Sequence, residues 1–329
     1  EILAHRIVWS LPIMIAITAV IGGWSDLFRV LRNRKLVLTL LLSSVLLALF
    51  VGVPCYFMSP LSFIKRPVRW LEAISRYRVT HSQAPNFAYD LCVQKVTPDQ
   101  RATLDLSSWQ VAANAAEPVR AETQRAFFDA FKVCGLRESA LAPAYGLAEA
   151  TLMVSHTKSE ISNLKSQTSN PVSCGQVLDE MQVEIVNPET NQRCAAGEVG
   201  EIWVAGPCVA KGYWNRPEET ERTFHARFAD SDAGPFLRTG DLGFLRDGQL
   251  FIAGRLKDLI IIRGDNHYPQ DIELTVERCH PALRSGHGAA FAIDSDGEEV
   301  LVVVHEVQGK QLRDANVDGV FGAIRAAVF

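Results

Sequence analysis

Tyr145, Glu149, Asp241, Arg255 and Lys257 are the side chains whose settings suggest chemistry. Tyr145 and Glu149 lie in "YGLAEAT". There the ring can stack on a flat base, Gly146 lets another group come close, and the carboxylate can reach a magnesium ion bridging phosphates. The same spacing also describes an ordinary helix start. Asp241, in "FLRTGDLG", follows Thr239 and Gly240 on an expected tight turn. Its two oxygens can accept both hydroxyls of a ribose. Arg255 and Lys257 share "AGRLKDLIIIRG". Arg255 suits a phosphate or ribose contact, and Lys257 stands between two elements, where a pivot needs solvated backbone.

A second segment, "VAANAAEPVR" from Val111 to Arg120, reads as a strand ending in small residues. Ala115, Ala116 and Glu117 would let a flat base lie against backbone at a strand's carboxyl end, where α/β sheets bind ligands. An ordinary strand-to-helix turn is the alternative.

Elements able to position these groups are legible around them. "AETQRAFFDAFK" puts Phe127, Phe128 and Phe131 on one helical face, opposite Glu122, Arg125 and Asp129. "GEVGEIWVAG" reads as a strand between glycines, and Pro217 with its acidic followers opens a helix. Asp247-Gly248 marks a two-residue hairpin turn, "KDLIIIRG" a buried strand, and Pro269 the start of another helix. "HGAAFAID" and "EVLVVVHEV" are two strands, and "DGVFGAIRAAVF" is a final helix. The polar stretch from Ser155 to Pro171 reads as a surface loop. The pattern is mixed α/β.

Length allows two domains at 329 residues. A net charge of −4 and a pI near 6.1 exclude a nucleic-acid surface, which needs clustered excess cation. Seven scattered cysteines without a CxxC pair point to a reducing compartment rather than a disulfide framework or zinc site.

The amino-terminal part differs in texture. Residues 7–23 and 36–53 are two uncharged apolar runs, each near the minimum for a helix crossing a bilayer core of ~30 Å. Read as transmembrane helices, they make a hairpin over residues 1–53. The charges conflict with a clean hairpin: Arg29, Arg32, Arg34 and Lys35 between the runs and Lys65, Arg66 and Arg69 after them both favour the cytoplasmic side. The opening "EILAHRIVWS", the basic loop "WSDLFRVLRNRK" and the next apolar run together resemble RarD-type permeases of the drug/metabolite transporter superfamily. Two helices cannot enclose a transport path, so no transport is inferred.

From about residue 55 to the end, the chain resembles fatty acyl-AMP ligases of the adenylate-forming superfamily. The segments that carry the resemblance include "RPVRWLEAISRYRVTHSQAPNFAYDLC", "SSWQVAANAAEPVRAET", "YGLAEATLMVS", "VSCGQ", "GYWNRPEET", "FLRTGDLGFL" and "GRLKDLIIIRGDNHYPQDIE". The resemblance implies an α/β adenylate-forming ligase fold, incomplete here. Residues 54–255 would be the carboxyl-terminal half of the large AMP-binding domain, and 256–329 a truncated small domain. It implies ATP or AMP with Mg2+ as nucleotide and cation, a fatty acid as substrate, and an acyl carrier protein or polyketide synthase as acceptor. Tyr145 would stack on adenine beside Ala115, Ala116, Glu117 and Gly146. Glu149 would serve the metal, Asp241 the ribose hydroxyls, Arg255 the ribose–phosphate, and Lys257 the hinge. His81, Asn86 and Phe87 would border the acyl tunnel. The ligase part would be cytoplasmic, with membrane association through residues 7–53.

Departures from the family pattern matter. Ala115 stands where the family has glycine, adding a methyl where close approach is wanted. The loop from Ser155 to Pro171 is shorter than its counterparts. No Ser/Thr/Gly-rich "PKG" phosphate loop occurs, and the last lysine, Lys310 in "VQGKQ", lacks the K-x-S-G-K context of the family's catalytic lysine. No residue is therefore assigned as catalytic, and the chain is expected to lack full turnover. A residual AMP- or acyl-AMP-binding module and a membrane protein carrying a soluble part are the rival readings. Two unrelated resemblances meeting near residues 50–54 also fit an artefactual join.

Overall fold

The computed structural model describes residues 7–9, 54–157, 171–231, 233–262, 265–295, 298–308 and 317–328. One eleven-stranded sheet dominates, in the order β2-β1-β3-β4-β5-β6-β7-β11-β10-β9-β8. Its first half is parallel: β1 (Ile7–Trp9), β2 (Cys55–Phe57), β3 (His81–Ala84), β4 (Val111–Asn114) and β5 (Leu141–Tyr145). Its second half is antiparallel: β6 (Ser155–His156), β7 (Ser173–Val177), β8 (Gln182–Val186), β9 (Gly200–Ala205), β10 (Leu237–Arg246) and β11 (Gln249–Arg255).

Helices α1 (Pro60–Lys65), α2 (Val68–Tyr77), α3 (Asn86–Lys95), α4 (Pro98–Arg101) and α5 (Ala121–Phe131) accompany the parallel half. Their core is aromatic. Trp70 meets Trp109 edge-on at 5.2 Å, and Phe127 meets Tyr89 at 4.8 Å. On α5, Phe127 and Phe131 are fully buried, Phe128 is half-buried, and Glu122, Arg125 and Asp129 face out, as the periodicity predicts. The antiparallel half has its own core around Ile202, Val204, Leu237 and Leu250, with Phe224 of α6 (Pro217–Phe224) packed into it.

The turn between β10 and β11 has positive φ at both Asp247 (53°) and Gly248 (73°), the type I′ geometry that matches strand twist. Beyond β11 come β12 (Ile260–Ile262) and β13 (Asp265–His267), then α7 (Pro269–Cys279), the long hairpin of β14 (Leu283–Ser295) and β15 (Glu298–Val307), and α8 (Val317–Val328). Val276 of α7 and Val320 of α8 share a small core with Leu283, Val303 and Val307.

Three expectations change. The run "KDLIIIRG" is not a buried strand throughout. Among the described residues β12 pairs only with β13, and Ile260 is buried while Ile261 is 46% exposed, the alternation a two-stranded ribbon imposes. The segment starting at Ser155 is not all surface loop: Ser155 is buried in β6, and its hydroxyl donates to the Cys174 carbonyl at 3.1 Å. Residues 158–170 lie outside the described residues.

The third change concerns the apolar run that begins at Ile7. Ile7–Trp9 forms a strand, not the start of a membrane helix, and pairs in parallel with β2 on one side and β3 on the other. A short, wholly apolar, β-branched stretch is the composition of a central parallel strand. The rest of both apolar runs, residues 10–53, lies outside the described residues. Among the described residues no helix is long and apolar enough to cross a membrane.

The boundary at 53/54 drawn from sequence separates β1 from both its partners. Cutting there should leave β2 and β3 with unpaired facing edges. Residues 55–329 expressed alone are therefore expected to melt less cooperatively and aggregate more than the full chain, measured by calorimetry and size exclusion. Equal melting of the two would show that β1 contributes nothing to the sheet.

Candidate functional site

Three strand ends and their following turns converge where the parallel half meets the antiparallel half. β3 runs into Asn86 and Phe87, β4 into Ala115–Glu117, and β5 ends at Tyr145. Carboxyl ends of parallel strands form the usual binding edge of such sheets. His81 is not brought there. It opens β3, a strand's length away, at about 10 Å for a rise of 3.3 Å per residue.

Asn86 and Glu117 organise the edge together. The Asn86 carboxamide donates to the Pro118 carbonyl at 2.9 Å and accepts from Asn114 Nδ2 at 2.9 Å and from the Arg120 N–H at 3.1 Å. Asn86 is buried and its side chain is engaged on both ends, while Phe87 is 48% exposed and touches Phe63 edge-on at 6.4 Å. The Glu117 carboxylate accepts from the Asn86 and Phe87 backbone N–H groups, two of the orphan donors at the start of α3. Burial of that carboxyl pushes it above its usual range, against the pull of Arg120 and these hydrogen bonds, although the residue keeps a solvent-exposed surface. Ala115, whose methyl stands where close approach is wanted, is half-buried directly after β4. The next residue, Ala116, has a left-handed backbone, with φ 79°.

Tyr145 and Asp241, 96 residues apart, are joined. The Tyr145 hydroxyl donates to Asp241 Oδ2 at 2.7 Å, and Arg255 Nε donates to Asp241 Oδ1 at 3.0 Å. Both Tyr145 and Asp241 are only 8% exposed. Asp241 does not sit on a tight turn as the sequence suggests. It lies in β10 directly opposite Arg255 of β11, just after an irregularity where Gly240 takes φ 69°. A glycine of positive φ is what such a bulge requires. Burial raises the Asp241 carboxyl above the ordinary carboxylate range; Tyr145 and Arg255 oppose this, and the negative charge of Glu149 adds to it.

Glu149 follows β5 by one turn. Tyr213 donates its hydroxyl to Glu149 Oε1 at 2.8 Å, and among the described residues Oε2 has no hydrogen bond. Two residues on, Thr151 has φ 67° and ψ −58°, with Leu152 N–H bonded to the Ala150 carbonyl at 2.8 Å: a γ-turn, strained for a β-branched residue. The turn folds back so tightly that a Cβ on Gly146 would overlap the Leu152 carbonyl. Glycine is therefore required there by packing of the chain on itself. A half-buried carboxylate with one open oxygen, close enough to raise Asp241, suits a Mg2+ ion that keeps most of its waters. Lys257 is exposed in the single turn Leu256–Asp258 between β11 and β12.

Sequence reasoning missed the support beneath Asp241. Glu201 in β9 is 2% exposed and accepts from Arg238 Nη2 at 2.6 Å, Arg238 Nε at 2.9 Å, Trp203 Nε1 at 2.9 Å and the Gly240 N–H at 3.1 Å. Thr239 completes the bulge, donating to the Ile202 carbonyl at 2.7 Å and accepting from the Asp241 N–H at 3.1 Å. A charged residue inside "GEIWVA" was the available signal, because a carboxylate in an apolar strand must be paired.

The family model for AMP-binding enzymes matches residues 36–214, more than half of the chain. This chain belongs to the AMP-binding enzyme family. It is 53% identical over 310 residues to the medium-chain-fatty-acid–[acyl-carrier-protein] ligase JamA of Moorena producens, a match covering 88% of this chain and 52% of JamA. It is 41% identical over 293 residues to the corresponding ligase TtuA of Teredinibacter turnerae, covering 81% of this chain and 46% of TtuA. Among solved structures it resembles a fatty acyl-adenylate ligase from Legionella pneumophila, in complex with acyl adenylate and pyrophosphate. That likeness has a TM-score of 0.65 at 38% identity, covering 98% of this chain and 56% of that one. The chain thus has the adenylate-forming α/β fold and spans about half the length of the curated relatives it matches. The family match begins at residue 36, so the second apolar run, assigned above to a permease-like hairpin, falls inside it. JamA, TtuA and the Legionella protein are ligases, and none of the three is a permease.

Two outcomes follow for this cluster. Replacing Glu201 by Ala should cost about 3 kcal/mol of unfolding free energy in urea. That is the low end for breaking a buried pair, because Arg238 can turn towards solvent. An Asp241→Asn exchange should flatten the pH dependence. A carboxyl raised in the folded state binds its proton more tightly there than in the unfolded chain, so its contribution is present at acid pH and is lost as pH rises through the folded-state value. The parent should lose stability relative to Asp241→Asn as pH rises above the ordinary carboxylate value of ~4. Parallel stability curves would refute the assignment.

Proposed function

We propose that this chain carries the adenylate-binding part of a fatty acyl-adenylate ligase. The observation that carries the reading is the buried Asp241 carboxylate, held between the Tyr145 hydroxyl and the Arg255 guanidinium at the carboxyl edge of the sheet. Ribose hydroxyls would donate to the Asp241 oxygens, Arg255 would turn to the ribose–phosphate, and the Tyr145 ring would lie against adenine with Ala115, Ala116 and Glu117 on the other side. Glu149 would hold Mg2+, whose charge offsets that of the phosphates. The reaction is attack of a fatty-acid carboxylate oxygen on the α-phosphorus of ATP. The bond to the bridging oxygen breaks, releasing pyrophosphate and leaving acyl-AMP. An acyl carrier protein, alone or within a polyketide synthase, would then take the acyl group on a thiol, releasing AMP. Phe87 and Asn86 would border the acyl chain. His81 would do so only from the far end of β3. Lys257 would be the pivot about which β12 onwards swings. The printed names of JamA and TtuA support a medium-chain fatty acid and a carrier-protein acceptor.

AMP binding, followed by calorimetry, tests the site. Asp241→Ala and Tyr145→Ala should each weaken it by about 1–3 kcal/mol, the range for leaving buried partners unpaired. Unchanged affinity in both would sink the assignment. Because no "PKG" loop and no K-x-S-G-K lysine occur in these 329 residues, pyrophosphate exchange with ATP, Mg2+ and a medium-chain fatty acid should stay at background. Exchange that depends on the fatty acid would show that other residues cradle the phosphates.

A further inference from the structure

The segment from Cys208 to Tyr213 wraps the turn that presents Glu149, and it does so with three separate hydrogen bonds. Ala210 N–H donates to the Glu149 carbonyl at 2.7 Å, Thr151 Oγ1 donates to the Cys208 carbonyl at 2.7 Å, and the Tyr213 hydroxyl donates to Glu149 Oε1 at 2.8 Å. Tyr213 is itself fixed from behind by α6. Its N–H donates to Thr220 Oγ1 at 2.9 Å, and its ring meets the buried Phe224 edge-on at 5.1 Å. Gly212 has φ 144°, and a Cβ there would overlap the Thr220 side chain, so the backbone lies hard against the helix.

We propose that Tyr213 is a positioning residue for the metal-binding carboxylate: it holds Glu149 Oε1 and thereby aims Oε2 at a divalent cation on the nucleotide's phosphates. The proposal rests on the nucleotide-binding reading above. Neither backbone contact of the 208–213 segment fixes the carboxylate itself; among the described residues only the Tyr213 hydroxyl does. A glutamate has three side-chain torsions, and a strained γ-turn two residues later fixes its backbone but not those torsions. One donor on one oxygen removes most of the remaining freedom and leaves the other oxygen for the metal, as outer-shell donors do for metal-binding carboxylates. A purely structural tyrosine would need only its ring against Phe224, which phenylalanine supplies equally.

The test compares the full chain with Tyr213→Phe, using Mn·ATP and metal-free ATP in EDTA as probes in calorimetry. Tyr213→Phe should weaken Mn·ATP binding about tenfold, the low end for losing an outer-shell partner, while metal-free ATP affinity moves less than about threefold. Glu149→Asp, one methylene shorter, should itself lose the Tyr213 contact. Adding Tyr213→Phe to it should then change Mn·ATP affinity by less than about twofold, because the coupling between the two residues is already gone. Equal loss of both probes, or full additivity of the two substitutions, would overturn the positioning role. A parent that binds metal-free ATP but shows no preference for Mn·ATP would overturn it too, by removing Glu149 as a metal residue. A parent that binds no nucleotide at all would instead overturn the proposed function on which it rests.

Discussion

A carboxylate that is 2% exposed stands in a strand interior only if its charge is answered, and Glu201 answers it four times over. That requirement shapes the site more than any group that would touch a ligand. Arg238 must approach from β10, so β10 must lie beside β9 at that register. The Gly240 N–H must turn inwards to the same carboxylate, which forces the bulge. The bulge then delivers Asp241 opposite Arg255 and within reach of Tyr145. Tolerating the buried charge depends on local geometry, and that geometry sets the orientation of Asp241.

The bond between Tyr145 and Asp241 also ties the two halves of the sheet. Tyr145 ends the parallel half and Asp241 belongs to the antiparallel half, yet the Tyr145 ring packs into the core of the antiparallel half. A ligand touching both residues therefore bears on the seam where the parallel strands give way to the antiparallel ones. The small region after Lys257 rests on the parallel half through charge: Arg278 of α7 meets Glu122 of α5 at 2.7 Å, and Glu277 lies 3.9 Å from Arg120. The Arg278–Glu122 pair is more than half exposed on both sides, and exposed pairs contribute little net stability. That contact can open at small cost.

Local signals made much of this legible, and non-local ones did not. Asp247-Gly248 announced its hairpin because both positions need positive φ, and Pro217 and Pro269 announced helices because each occupies a first-turn position whose N–H is spare. Tyr145, Glu149, Asp241 and Arg255 could be picked out as candidates because each carries a group suited to a nucleotide. Glu201, Asn114 and Tyr213 could not: their partners lie 37, 28 and 64 residues away, and nothing in the spacing pairs them. The run from Ile7 misled for a different reason. A buried parallel strand and the start of a membrane helix have the same composition over three residues, and only partners decide between them.

The place of β1 has a kinetic side. It enters between β2 and β3, yet Cys55 comes 46 positions after Trp9. β2 and β3 therefore cannot close on each other as chain neighbours would, and must wait for a strand from far upstream to fill the slot. Bringing together strands so far apart in sequence costs entropy before any contact repays it, which slows folding of the parallel half relative to the β10–β11 hairpin with its two-residue turn. During the wait both slot edges present unpaired backbone, and their capture by another molecule competes with arrival of the missing strand.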